Sequence, residues 1–185
     1  YCSTSNIICS FYFFSFWIKS KPVSVRKFSM KKNDILIKVL SLAFFAKRSG
    51  LKIAVAESCT SGLLASLLSS LAGSSEWFDF GIVCYSNLSK KTLLSVDLNS
   101  VKVHGSVSKI VASQMLAGLE RIPPGEKNKF YLFSSITGIA GPTGGSEKKP
   151  RGLVWFGFQS YGERSCKKSI FSGNRMQIRN LAVRT

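Results

Sequence analysis

Three side chains able to act as nucleophiles follow one carboxylate in Glu57-Ser58-Cys59-Thr60, and Ser61-Gly62 comes next. Ser or Cys attack on a carbonyl needs a base nearby, and the usual partner is histidine. This chain has a single histidine, His104, in Val103-His104-Gly105, where a loop or cap residue is the simpler reading. A lysine can take the role if burial and positive neighbours lower its pKa toward neutrality. Three further stretches carry candidate chemistry. Tyr85-Ser86-Asn87-Leu88-Ser89-Lys90 offers a phenol and an amine five residues apart. Thr137 to Gly145, with Gly138 and Gly141, is a loop whose backbone can approach a ligand closely. Gly173-Asn174-Arg175 places a guanidinium at a helix start. Each has a plainer reading alone: Ser58 or Cys59 as a helix cap, Tyr85 as a strand end, Lys90 and Arg175 as surface charges.

What joins them is the element pattern. Asp34 can cap a helix with Ile35, Val39, Leu42 and Ala46 at helical spacing, ended by Gly50. Leu51–Ala56 reads as a buried strand, and Cys59–Leu71 as a helix with Leu63, Leu64, Leu67, Leu68 and Leu71 on one side. Phe80–Tyr85 is a second strand, followed by a short helix capped by Asn87. Ser106 is the expected cap of a helix through Ile110, Val111, Met115 and Leu119. Phe130–Ile136 is a third strand. Gly152–Ser160 and Ser165–Phe171 are two more around the turn 161–164, and a last helix starts near Asn174 and is cut off at Thr185. Helices alternating with strands, closed by a hairpin, predict an α/β fold. The expected form is a three-layer α/β/α sandwich on a mixed, mostly parallel sheet. In such sheets ligands lie beyond the carboxyl ends of the strands. All four candidate stretches fall on that one rim.

Residues 1–29 differ from the rest. The first methionine is Met30, no acidic residue precedes Asp34, and Ile7–Ile18 is an apolar run too short to span a bilayer comfortably. They read as a leader outside the domain, either translated upstream sequence or part of a targeting peptide, with the domain over 30–185. Five cysteines, an odd number with no Cys-x-x-Cys pair, argue against a disulfide framework or zinc knuckle. A reducing compartment follows, the cytoplasm or an organelle if residues 1–29 are part of a transit peptide. With one histidine, no metal site and no cofactor are expected. The net charge of +17 comes from 26 basic residues against 9 acidic ones. The basic residues are scattered in short pairs such as Lys90-Lys91, Lys148-Lys149 and Lys167-Lys168, which suits a solvated surface or attraction of small anions more than a nucleic-acid face.

Taken in order and spacing, "AVAESCTSGLLAS", "AGSSEWFDFGIVCYSNLSKKTLL", "HGSVS", "TGIAGPTGGSEKKPRGLVWFGF" and "FSGNRMQIR" resemble the CinA C-terminal domain family, from about Asp34 to the end. That family includes stand-alone nicotinamide-nucleotide amidases. The resemblance implies hydrolysis of the amide of nicotinamide mononucleotide to nicotinate mononucleotide and ammonia. It implies Ser58 as nucleophile, Lys90 as base and Tyr85 as a relay or orienting group. Thr60, Thr137, Gly138, Gly141 and Arg175 are then the substrate-binding positions. The expected partners are a small-molecule nucleotide and a second copy of the chain, with no specific nucleic acid and no membrane. Two positions depart from the family pattern. Ser61-Gly62 stands where Gly-Gly is common, and Gly173-Asn174-Arg175 where Gly-Asp-Arg is common. The competing readings are a non-catalytic nucleotide-binding module and a nucleic-acid-associated accessory protein. Joint retention of Ser58, Tyr85 and Lys90 favours the enzyme, since a pure binder needs no such set.

Overall fold

The computed structural model describes residues 32–123 and 130–185, and the expected leader, 1–29, lies outside them. The chain divides into Tyr1–Lys32 and Asn33–Thr185. Among the described residues there are five strands and six α-helices. Helix α1 (Lys32–Ser49) leads to β1 (Lys52–Glu57), α2 (Leu63–Leu68), a single 3₁₀ turn (Ser74–Glu76) and β2 (Phe78–Val83). Then come α3 (Asn87–Leu94), α4 (Leu98–His104), α5 (Lys109–Glu120), β3 (Tyr131–Gly138), β4 (Leu153–Ser160), β5 (Glu163–Ile170) and α6 (Arg175–Arg184).

The sheet order is β2-β1-β3-β4-β5. Strand β1 pairs in parallel with β2 and β3, while β3–β4 and β4–β5 are antiparallel. Four of the five strands therefore point the same way, with β4 reversed. Alternation along the strands sorts side chains to two faces. Ala54, Ala56 and Phe133 pack against Leu94 of α3, Val101 of α4, and Val111, Met115, Leu116 and Leu119 of α5. On the other face Ile53 and Val55 meet Val39 and Ala46 of α1 and Leu68 of α2. There too Ile136, Val154 and Phe156 meet Ile178 and Ala182 of α6. These are the three layers of the expected α/β/α fold. Each large apolar side chain buried this way contributes roughly 1.5–3 kcal/mol.

Local chemistry moves several boundaries from their expected places. Asp34 lies in the first turn of α1, where its charge still favours the helix dipole, because the helix begins earlier at Lys32. The expected helix 59–71 shrinks to Leu63–Leu68, since Ser61 (φ 52°) and Gly62 (φ 89°) are left-handed and hold the chain in a turn. Ser86 rather than Asn87 caps α3, accepting the Ser89 N–H at 3.0 Å. Ser108 rather than Ser106 caps α5, accepting from Val111 at 3.3 Å. Helix α4, capped by Asp97 through the Asn99 and Ser100 amides, was not expected at all. Asn174 does cap α6, and Gln177 completes a reciprocal capping box. The β4–β5 turn is only Tyr161-Gly162, both at positive φ, the two-residue geometry that matches strand twist.

One glycine fixes how α3 is seated. A Cβ on Gly118 of α5 would lie 2.4 Å from the Leu94 carbonyl oxygen and 2.5 Å from its Cβ. The absence of a side chain lets α5 pass directly under the end of α3. Lys90 lies one turn earlier on that same inward face of α3.

Candidate active site

Strand β1 ends at Glu57, and the turn after it is tied to both neighbouring strands. The Ser58 amide donates to the Ile136 carbonyl of β3 at 2.9 Å. The Glu57 carbonyl accepts from the Cys84 amide, just past β2, at 2.8 Å. The Glu57 carboxylate is fully buried and folds over the turn. Its two oxygens accept the amides of Gly62 at 3.0 Å, Leu64 at 3.1 Å and Ala65 at 2.8 Å. Those N–H groups would otherwise be the unpaired donors of a helix start. Glu57 thus fills the place an outside anion could take at the Gly62, Leu64 and Ala65 amides. The Cys59 and Thr60 amides are not among those it takes.

Ser58 is 7 % exposed, and Lys90 on α3 only 1 %. The Lys90 Nζ lies 2.9 Å from Ser58 Oγ and 3.0 Å from the Tyr85 carbonyl oxygen, to which it donates. Thirty-two residues separate the serine from the lysine along the chain. What joins them is the pairing of β1 with β2 and the short 84–86 connection that turns α3 back over the strand ends. Burial pushes the Lys90 amine below its ordinary value. Cys84 and Cys59 oppose this only as thiolates. Burial pushes each of those thiols up to about 11, so near neutral pH both are uncharged.

The remaining predicted residues are partly gathered here. Tyr85 is 54 % exposed, and its hydroxyl accepts from the Arg175 guanidinium at 2.7 Å. Arg175 also donates to the Gly141 carbonyl at 2.8 Å. One guanidinium thus bridges the Tyr85 turn, the glycine-rich loop and the start of α6. Thr137 is buried, and its hydroxyl donates to the Ser106 carbonyl at 2.9 Å, fastening β3 to the loop before α5. A Cβ on Gly138 would press on Cys59 Sγ at 2.9 Å and on Val154 at 2.8 Å, so its contact is with the Ser58 turn itself. Thr60 is fully buried, and its carbonyl accepts from Arg179 at 2.9 Å. Its hydroxyl has no hydrogen-bond partner among the described residues.

A model of the CinA C-terminal domain matches residues 38–185. The chain belongs to the CinA C-terminal domain family. It is 42% identical over 153 residues to a CinA-like protein of Syntrophomonas wolfei, covering 83% of this chain and 35% of that protein. The chain thus spans about a third of the length of that relative. It is 41% identical over 138 residues to the nicotinamide-nucleotide amidohydrolase PncC of Escherichia coli K12, covering 74% and 81% of the two chains. Among solved structures it is similar to the competence/damage inducible protein CihA from Agrobacterium tumefaciens. There the TM-score is 0.77 at 33% identity, with 85% of this chain and 93% of that one covered.

Two residues of this CinA domain that bear on the site drew no role from sequence. Glu57 organises the serine turn, and the available signal was a lone carboxylate ending an otherwise apolar strand. Arg179 ties Thr60 to α6, but an arginine one turn into a helix looks like any surface charge. Among the described residues, no three His, Cys, Asp or Glu side chains cluster as metal ligands. No described helix is long and apolar enough to cross a membrane.

Proposed function

We propose that this protein is an amidohydrolase that converts nicotinamide mononucleotide to nicotinate mononucleotide and ammonia, with Ser58 as nucleophile and Lys90 as general base. The observation that carries the reading is the 2.9 Å approach of a buried lysine amine to a serine hydroxyl. A neutral amine has two N–H bonds and one lone pair. The Tyr85 carbonyl takes one N–H, which leaves the lone pair free to face Ser58 Oγ. Lys90 accepts the serine proton as Oγ bonds to the carboxamide carbon. The tetrahedral oxyanion is stabilised by amide donors beside the serine, with Cys59 the nearest candidate. Lys90 then returns the proton to the departing nitrogen, and ammonia leaves an acyl-serine. Water attacks that ester with Lys90 again as base, which frees the carboxylate and restores Ser58. Arg175 and Tyr85, linked to each other, are the groups suited to hold an anionic substrate at the rim. The similarity to a nicotinamide-nucleotide amidohydrolase over most of that protein's length supports the choice of substrate.

The test is ammonia release from nicotinamide mononucleotide. Ser58→Ala should lose at least about 10³-fold in kcat while still binding substrate. Cys59→Ala should retain most activity, since its thiol is buried in the α6-side core and stays protonated. A dead Cys59→Ala beside an active Ser58→Ala would refute the serine mechanism.

A further inference from the structure

Away from Ser58 and Lys90, residues of α5, β4, β5 and the 148–150 segment line a concavity of about 310 Å³. Neither Ser58, Tyr85, Lys90 nor Arg175 lines it. Its apolar lining is Leu153 of β4, which is buried, with the exposed Ile170 of β5 and Ile110 of α5. Its rim carries His104, Lys109, Lys148, Lys149 and Lys168, and Trp155 forms one wall. Among the described residues no Asp or Glu side chain lines it. Strand pairing sets Trp155 directly opposite Lys168, whose Nζ stands 6.0 Å from the ring centroid. The Lys149 ammonium is spent on structure, donating to the His104 carbonyl and, at 2.8 Å, to the Val107 carbonyl. It closes one end of the groove by holding the loop against the turn between α4 and α5. Lys109, Lys148 and Lys168 are exposed.

We propose that this groove is a binding site for a nucleoside di- or triphosphate, with its base against Trp155 and its phosphates among Lys109, Lys148 and Lys168. The volume is at the lower end of the range for small-molecule sites, roughly 300–1,000 Å³, which suits one nucleotide. Several ammonium groups beside apolar side chains, with no carboxylate among the described lining residues, give a positive potential that a phosphate chain matches. An indole with the Lys168 ammonium over its ring offers a base both an aromatic surface and a charge. A pyridinium mononucleotide, whose ring charge offsets part of its phosphate charge, matches that potential less well. The groove is thus complementary to a ligand other than the proposed substrate.

The experiment is calorimetric titration of the full chain with metal-free ATP, inorganic tripolyphosphate and a decathymidylate. ATP should bind, and Lys109→Gln and Lys168→Gln should each weaken it about tenfold. Lys167→Gln removes the same charge one residue away, on the opposite face of β5, and should stay within about twofold. Trp155→Leu should weaken ATP but leave tripolyphosphate unchanged. Equal losses in the Lys167 and Lys168 variants would reduce the effect to diffuse surface charge and overturn the site. Equal loss of ATP and tripolyphosphate in Trp155→Leu would overturn base recognition. Tighter binding of the decathymidylate, lost in the same variants, would reassign the groove to single-stranded nucleic acid. Absence of ATP binding up to millimolar concentration would end the proposal. Melting curves of the three lysine variants should match the parent, since Lys109, Lys167 and Lys168 are all exposed.

Discussion

Lys90 is the residue on which the proposed chemistry turns, and its burial makes two separable demands. As a base it must be neutral for a fair fraction of the time near pH 7–8, against about 10.4 for a free lysine. Burial supplies the downward push. The rate of ammonia release should therefore rise with pH through an ionisation below that of free lysine. Lys90→Arg should lose about 10²–10⁴-fold, because a guanidinium holds its proton. Lys91→Arg, on the exposed side of α3, is the matched control and should be near neutral. A Lys90→Arg protein that keeps most of its turnover would reduce Lys90 to a structural charge. The same burial also marks stability. A lysine with a lowered folded-state value binds fewer protons in the native state than in the unfolded one. Stability should therefore rise as pH climbs from the folded value toward the unfolded one. Lys90→Met removes the titrating group, so the difference between parent and variant in denaturant midpoint should shift steadily in the parent's favour between neutral pH and about 10. Parallel curves for the two proteins would contradict it.

At the scale of the element, the strand–turn–helix unit from Lys52 to Leu68 decides where Ser58 points. Glu57 accepts three amides at once, which a glutamine cannot copy, because its NH₂ group would face N–H donors. Glu57→Gln should cost about 2 kcal/mol in urea denaturation. It should also lower kcat more than it raises KM, since the serine turn loosens while Arg175 and Tyr85 stay in place. An unchanged kcat would show that the turn is held by its backbone bonds alone. Ser61 sits beside it with φ 52°, a left-handed conformation that disfavours a side chain. The residue is exposed, and its hydroxyl makes only a long 3.3 Å bond to the Ser58 carbonyl. Ser61→Gly should therefore be neutral to stabilising, by up to about 1 kcal/mol, as read from the same denaturation curves. A loss of more than that would mean the hydroxyl matters. These two residues also show what sequence could reveal. Apolar periodicity located β1, the leucine face of α2 and the capped start of α6, because burial and capping leave local marks. Helix α4 escaped, since Leu98–His104 contains serine, asparagine and two valines, none a strong helix former. The caps at Ser86 and Ser108 were missed by one or two residues, because several cap-capable side chains stand together there. The Ser58–Lys90 approach has no local mark at all. It arises from parallel strand pairing: the element order put both residues on one rim, and the family resemblance alone paired them.

For the molecule as a whole the question is what 26 basic residues do beside 9 acidic ones. Among the described residues, two ion pairs absorb charge, Lys47 with Glu76 and Arg164 with Glu120. Glu57 is occupied by backbone amides, and Asp97 caps α4. Much of the positive charge is thus left to solvent and counterions. Such a surface attracts DNA without reading it, because phosphate contacts position a protein but carry no sequence information. Binding of that kind releases counterions, and affinity falls with salt at a slope of about −0.9 per phosphate neutralised. With roughly six contacts, affinity should drop about 10³-fold between 50 and 200 mM salt. Fluorescence anisotropy with two unrelated duplexes of equal length should give curves that overlap at low salt and vanish together near physiological ionic strength. The lysines of β5 are consistent with this, since Lys167 and Lys168 point to opposite faces and build no single stripe along a groove of duplex width. Binding that persists at about 150 mM salt and prefers one duplex over the other would require base contacts. It would then make a nucleic-acid partner, rather than a small nucleotide, the first explanation of the charge.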